Sequence, residues 1–226
     1  MSISHPLRTA PPSLKHITDY SFRHVTAKQL DNGIPVFVLD AGVQDVIRIE
    51  LIFRKPGFDV STPLLHSAAN RLLSEGTSKH SALELAEMID YYGAYYEDEQ
   101  SSDHASVLLH TMNKHLRNTL PLIHEIVTDA SFPQHEVEVY QKNNKQRLAV
   151  ENEKVASVAR RKFSEIIFGP QHPYGYFVVP EDYDKLESAA LKSYHRRQYV
   201  REHCSIIVSG KVGSDTMNLL NDTFGN

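Results

Sequence analysis

The chain has no tryptophan and a single cysteine among its 226 residues. One thiol cannot close an internal disulfide, so the fold rests on its own core and leans toward a reducing compartment. Long apolar runs are missing as well, and none approaches the roughly 18 residues needed to span a bilayer. Met1–Leu14 holds three prolines and no apolar stretch of the signal-peptide kind. Neither charge is in excess. Lys and Arg number 24 against 28 Asp and Glu, a net charge of −4 that steers the chain to neither nucleic acid nor an anionic surface. These absences favour a cytoplasmic protein without nucleic-acid or membrane partners. A targeting segment already removed would make the periplasm or an organelle the alternative.

What is present is an ordinary globular composition, with 41% hydrophobic residues, enough at this length to bury a core without covalent staples. Residues 1–24 read as an arm, and 25–226 as one domain. Lys28–Leu30 and Ile34–Leu39 flank Asp31-Asn32-Gly33, where Asn-Gly supplies the positive φ of a tight hairpin. In Val46–Phe53, Ile47, Ile49, Leu51 and Phe53 alternate as on a half-buried strand. Helical signals then take over. Thr62-Pro63 opens and Gly76 stops a helix over about 63–75, with Leu64, Leu65, Ala68, Leu72 and Leu73 as its buried stripe. Ser81-Ala82-Leu83-Glu84 is a capping box for a helix ending at Gly93. Strands over 95–99 and 105–111 precede helices over about 114–128, 134–153 and 155–168, the last broken by Gly169-Pro170. A helix over 182–198, a strand over 203–209 and a helix opened by Ser214-Asp215 complete the order. Strands first and helices after predict an α+β fold, a largely antiparallel sheet with helices packed on one face.

Polar residues outside any motif have plain readings. Cys204 lies in the apolar run Cys204–Val208 and reads as core filler. Of His104, His110, His115 and His124, only the first two share a strand face, roughly 20 Å apart at strand rise and too far for one ion. Glu97-Asp98-Glu99 with Asp103 reads as a solvated acidic hairpin, with attraction for basic peptides as the alternative. Tyr92, Tyr95 and Tyr96 suit either a binding surface or packing on the second helix.

Several segments carry a resemblance in their order and spacing. They are Leu30-Asp31-Asn32-Gly33 and its strand, the helix closing on Glu75-Gly76-Thr77, and the capped helix up to Gly93-Ala94. The turn Gly169-Pro170-Gln171-His172-Pro173-Tyr174-Gly175 and the strand running into Ser209-Gly210-Lys211-Val212 complete the set. Together they resemble the N-terminal half of the pitrilysin/insulinase/mitochondrial-processing-peptidase family of inverted zinc peptidases. In peptide-cutting members the helix before Glu-Gly-Thr bears His-x-x-Glu-His. Two His one turn apart hold zinc from one helical face, Glu beside the second is the general base, and a distant Glu is the third ligand.

Counted back from Glu75, that motif falls here on Ser67-Ala68-Ala69-Asn70-Arg71. Ser67 and Arg71 take the ligand places and Asn70 that of the base. A neutral hydroxyl is a poor ligand, an amide takes no proton from water, and a guanidinium repels a dication. Shifting the register onto His66 recovers one ligand only. Glu151, with Glu153 as the alternative, matches the distal glutamate, and an ion pair between Arg71 and Glu151 is the expected replacement for the metal, against a solvent-facing Arg71.

The resemblance therefore implies a catalytically inactive, zinc-free subunit without catalytic residues of its own. Its expected partners are an active zinc-bearing homologue or a second copy, forming a peptide-binding chamber. The alternatives are a structural or peptide-binding module without a peptidase partner, and a metallopeptidase with ligands redrawn from His66, His80, Glu75 or Glu151.

Overall fold

The hairpin sets the sheet's first edge. A computed structural model describes residues 20–55 and 57–226 together with Leu14 and Thr18. Most of the expected arm over 1–24 lies outside the described residues. Strand β1 (Thr26–Gln29) turns through Gly33, at φ +95°, into β2 (Pro35–Asp40) with Gln29 opposite Pro35. Strand β3 (Val46–Arg54) pairs antiparallel with β5 (His104–Met112), which pairs antiparallel with β4 (Tyr95–Gln100). The last strand, β6 (Cys204–Gly210), inserts between β2 and β3, parallel to β2 and antiparallel to β3. The order is β1-β2-β6-β3-β5-β4, one open and mostly antiparallel sheet with β4 as an edge.

Alternation decides which sheet face is dry. Ile47, Ile49, Leu51 and Phe53 of β3, Val107 and Leu109 of β5, and Ile206 and Val208 of β6 are buried within one cluster. Arg48 and Glu50 take the opposite face, where they pair at 2.8 Å. Eight helices are present among the described residues: α1 (Leu65–Arg71), α2 (Ala82–Tyr91), α3 (Leu116–Thr128), α4 (Gln134–Glu153), α5 (Val155–Phe168), α6 (Pro180–Asp184), α7 (Ser188–Gln198) and α8 (Thr216–Phe224). Ala68 and Ala69 of α1, Ile123 and Ile126 of α3, Leu191 of α7 and Leu220 of α8 join the same cluster. Fully burying one such Leu or Ile side chain contributes about 2 kcal/mol. The α+β architecture expected from the element order is present.

Two helices differ from expectation. α1 is shorter than 63–75, because its flanks tighten into three-residue turns: Leu65 N–H donates to the Thr62 carbonyl and Glu75 N–H to that of Leu72. The helix expected over 182–198 is two, α6 and α7. Leu186 drops into the core between them at 4% exposure, and its carbonyl accepts from the Gln141 side chain at 2.8 Å. α2 has the capping box read from Ser81 and Glu84.

Candidate functional site

Helix α1 crosses behind β4 and β5 and brings four polar residues onto fewer than two turns, from His66 to Arg71. Their surroundings differ sharply. Asn70 has no exposed surface. Its amide nitrogen donates to the Glu99 carbonyl at 2.8 Å and the Ser106 carbonyl at 3.2 Å, and its amide oxygen accepts from the Tyr199 hydroxyl at 2.9 Å. The side chain thus ties α1 to β4, β5 and the end of α7, and it meets neither water nor a ligand. Ser67 turns its hydroxyl back to the Leu64 carbonyl at 3.1 Å.

His66, the fallback ligand, is spoken for at both nitrogens. Nε2 lies 3.1 Å from the Ser101 carbonyl and therefore carries the proton, while Nδ1, 3.0 Å from the Tyr194 hydroxyl, accepts. Burial is the main cause holding its pKa below the usual imidazole range, with Lys55 adding repulsion. A neutral ring locked by two bonds has no lone pair to offer.

Arg71 leaves the core. Its side chain is 62% exposed, and Nη1 donates to Asp98 Oδ1 at 2.7 Å. Asp98 itself is 7% exposed at the side chain, and burial pushes its pKa up to about 6 against the opposing pull of Arg71. Here desolvation outweighs the ion pair. This corrects two expectations. The carboxylate opposite Arg71 is Asp98 and not Glu151, and Asp98 belongs to the interior side of β4, not to a solvated turn. The alternation Ala94, Tyr96, Asp98 was the available signal.

Glu151 accepts from Lys154 Nζ at 2.6 Å and from the Ser157 hydroxyl at 2.7 Å. It does not line the polar cavity of about 510 Å³ that opens beside Arg71. The α4 residues that do include Tyr140, Asn144 and Arg147, so Glu151 stands one turn beyond the last of them, and the alternative Glu153 further still. Asn144 Nδ2 donates to the Tyr140 carbonyl at 2.8 Å, and Arg147 Nη2 donates to Asn144 Oδ1 at 2.5 Å. Glu75 and Glu136 complete the acidic side, with the Glu75 pKa raised by burial and then by Glu136.

The other polar residues stay apart. His104 bonds Ser101, His110 lies beside Tyr95, His115 beside Tyr92, and His124 against Phe224. Cys204 is buried, and burial pushes its thiol up to about 12. It is packing, with no thiolate at neutral pH.

The fold recurs in known proteins. The insulinase (peptidase family M16) sequence model matches residues 68–172, from within α1 to the His172 turn. Over these residues the chain is similar to that family, and its fold is that of an M16 half-domain. A peptidase M16 inactive domain from Pseudomonas fluorescens superposes with a TM-score of 0.82 at 19% identity, over 88% of this chain and 50% of that one. A protease from Helicobacter pylori does so at 0.81 and 16% identity, over 91% of this chain and 51% of that one. An uncharacterized zinc protease of Mycobacterium leprae is 25% identical over 157 residues, 68% of this chain and 35% of the relative. The half-domain thus spans about a third of that curated relative and half of those solved chains.

Zinc is the metal such a family implies, and the donor set does not fit it. The α1 positions offer a hydroxyl bonded to its own helix, a sealed amide and a guanidinium. Among the described residues, no three His, Cys, Asp or Glu side chains stand so as to hold an ion. The cavity is suited instead to polar, hydrogen-bonding groups, with Arg71 and Arg147 facing Glu75, Asp98 and Glu136.

Proposed function

We propose that the chain is a catalytically silent M16-like half-domain that walls a peptide-binding chamber together with another half. On this reading Ser67 and Arg71 occupy ligand places and Asn70 the place of the base. The distal place falls to the Asn144–Arg147 turn of α4, with Glu151 beyond it. The observation that carries the reading is Asn70, whose amide is fully bonded and without exposed surface where a water-activating base must meet solvent. The inactive domain among the structural neighbours supports it. The neighbours' doubled length supports a second half, either a homologue with an intact zinc helix or a copy of this chain.

The test is metal analysis after incubation with excess zinc and dialysis, alongside cleavage of unstructured peptides. The expected result is far less than one zinc per chain and no cleavage, with peptide binding retained. Stoichiometric zinc on the unaltered chain that is lost on changing Arg71, or cleavage that depends on zinc, overturns the proposal.

A further inference from the structure

The places read as metal-ligating present hydrogen-bond donors instead. Ser67 and Arg71 stand on α1, and Asn144 and Arg147 stand across the polar cavity on α4. Tyr140 lies between the two helices. Burial raises its pKa and Tyr183 adds to the rise, while the Ser67 hydroxyl, Arg147 and Arg71 pull it back. The phenol therefore keeps its proton at neutral pH, and both guanidinia stand near its oxygen. One carboxylate does not neutralise this end. Asp98 accepts from Arg71 Nη1, but its side chain is only 7% exposed and stays on the β4 side.

Arg147 has no ion-pair partner among the described residues. Its Nη2 donates to Asn144 Oδ1, and Glu151, one turn further along α4, is taken by Lys154 and Ser157. A guanidinium offers several N–H donors in a planar fork that matches a carboxylate, so the rest of the Arg147 fork is open to the cavity. The other end has the opposite sign. Glu75 and Glu136 line it, and the Glu75 pKa is raised by burial first and by Glu136 second. Glu136 and Arg147 stand about 16 Å apart along α4 at helical rise. An extended chain rises about 3.3 Å per residue, so the two ends match a cationic and an anionic group about five residues apart. A metal cation is repelled at the guanidinium end, and a polyanion at the carboxylate end.

We infer that the cavity holds an extended peptide by a carboxylate, received by Arg71, Tyr140 and Arg147, while a cationic group of the same peptide reaches Glu75 and Glu136. The inference rests on the reading of the chain as a silent, peptide-binding half-domain and names the chemistry of its peptide. Isothermal titration of the full chain at about 50 mM salt, where screening is modest, compares three probes. They are pentaalanine with free ends, its C-terminal amide, and N-acetyl-Lys-Ala-Ala-Ala-Glu amide, whose charges are on side chains.

The expected result is that the free acid binds at least about tenfold more tightly than the amide, as the loss of a charge-assisted contact requires. The side-chain probe then names the source: binding equal to the free acid assigns the carboxylate to an acidic side chain, and weaker binding assigns it to the chain end. Arg147→Ala should cancel most of the preference for the acid with an unchanged urea midpoint, since this residue is exposed. Lys142→Ala removes the same charge from an exposed position of α4 outside the cavity and should leave the preference intact. Equal binding of acid and amide, a preference that survives Arg147→Ala, or displacement of the acid by equimolar inorganic phosphate overturns the inference. So does the absence of binding by all three probes up to about 1 mM. A chain that ignores the carboxylate, yet binds no zinc and cuts no peptide, loses this site and remains a silent half-domain. Zinc-dependent cleavage of the free acid removes both.

Discussion

Helices α3 and α5 are written in the same amphipathic grammar and end in opposite places. In α3, Leu116, Leu120, Ile123 and Val127 lie at i, i+4, i+7 and i+11, and each is at most 2% exposed against the sheet. In α5 the stripe from Val155 to Ile167 is as regular, but the polar side touches the domain. Periodicity fixes that a helix has a dry side; it does not say whose core that side joins. α3 turns that side to its own sheet, and α5 turns it to solvent.

The widest separation between the two regions is expected on truncation. Ile126→Ala in α3, at a position with no exposure, costs about 2–5 kcal/mol. Ile166→Ala in α5 stays within about 0.5 kcal/mol in the monomer. Urea unfolding at low protein concentration measures both. Equal losses would break the comparison by placing α5 inside the core.

Next in size is the buried polar tie beneath α1. Asn70→Ala strands the Tyr199 hydroxyl and the carbonyls of Glu99 and Ser106, at about 1–3 kcal/mol. The measure is the urea midpoint against Asn152→Ala at the α5 side, which is expected to be neutral. A neutral Asn70→Ala would remove the structural role given to the amide.

Acid sharpens the contrast further. His66 and His195 are held neutral with pKa values lowered chiefly by burial. The folded form binds fewer protons than the unfolded, so their stabilisation is full above the ordinary imidazole value and drains as pH falls through it. Asp98 runs the other way. Its pKa of about 6 exceeds the unfolded value of 3.8, so protonation between these limits favours the fold. Stability followed from pH 8 to pH 4 should therefore drop less steeply in wild type than in Asp98→Asn, which loses the opposing proton uptake.

The smallest effect is at Arg71. Arg71→Leu leaves Asp98 alone in the interior and is expected to cost about 1 kcal/mol at pH 8. The loss fades at pH 5, where Asp98 holds a proton. Arg161→Leu should be closer to zero at both values, and equal responses would show that the Arg71 pair contributes nothing.

Much of this was legible in the chain. The Asn32-Gly33 turn, the β3 alternation, the Ser81–Glu84 cap and the bounds of α4 and α5 follow from local rules, because each depends on residues within one turn or one strand. The split at Leu186 did not, since a core position reached from elsewhere overrode a continuous helical pattern. The partner of Arg71 was missed for a similar reason. Counting along α4 reached Glu151, but the crossing of α1 and α4 brings Tyr140, Asn144 and Arg147 to the cavity. Asp98 looked solvated among its acidic neighbours, although strand parity alone turns it inward. Which side of α5 faces home was invisible, because an amphipathic pattern has no label for its partner.

The network at position 70 has a consequence for descent. A carboxylate there would point negative charge at two carbonyl oxygens that now receive protons from an amide. Placing a proton acceptor at that spot therefore demands concerted adjustment of an edge strand, its neighbour and an aromatic over a hundred residues away. On the proposed reading, the packing beneath α1 therefore holds the silent state in place.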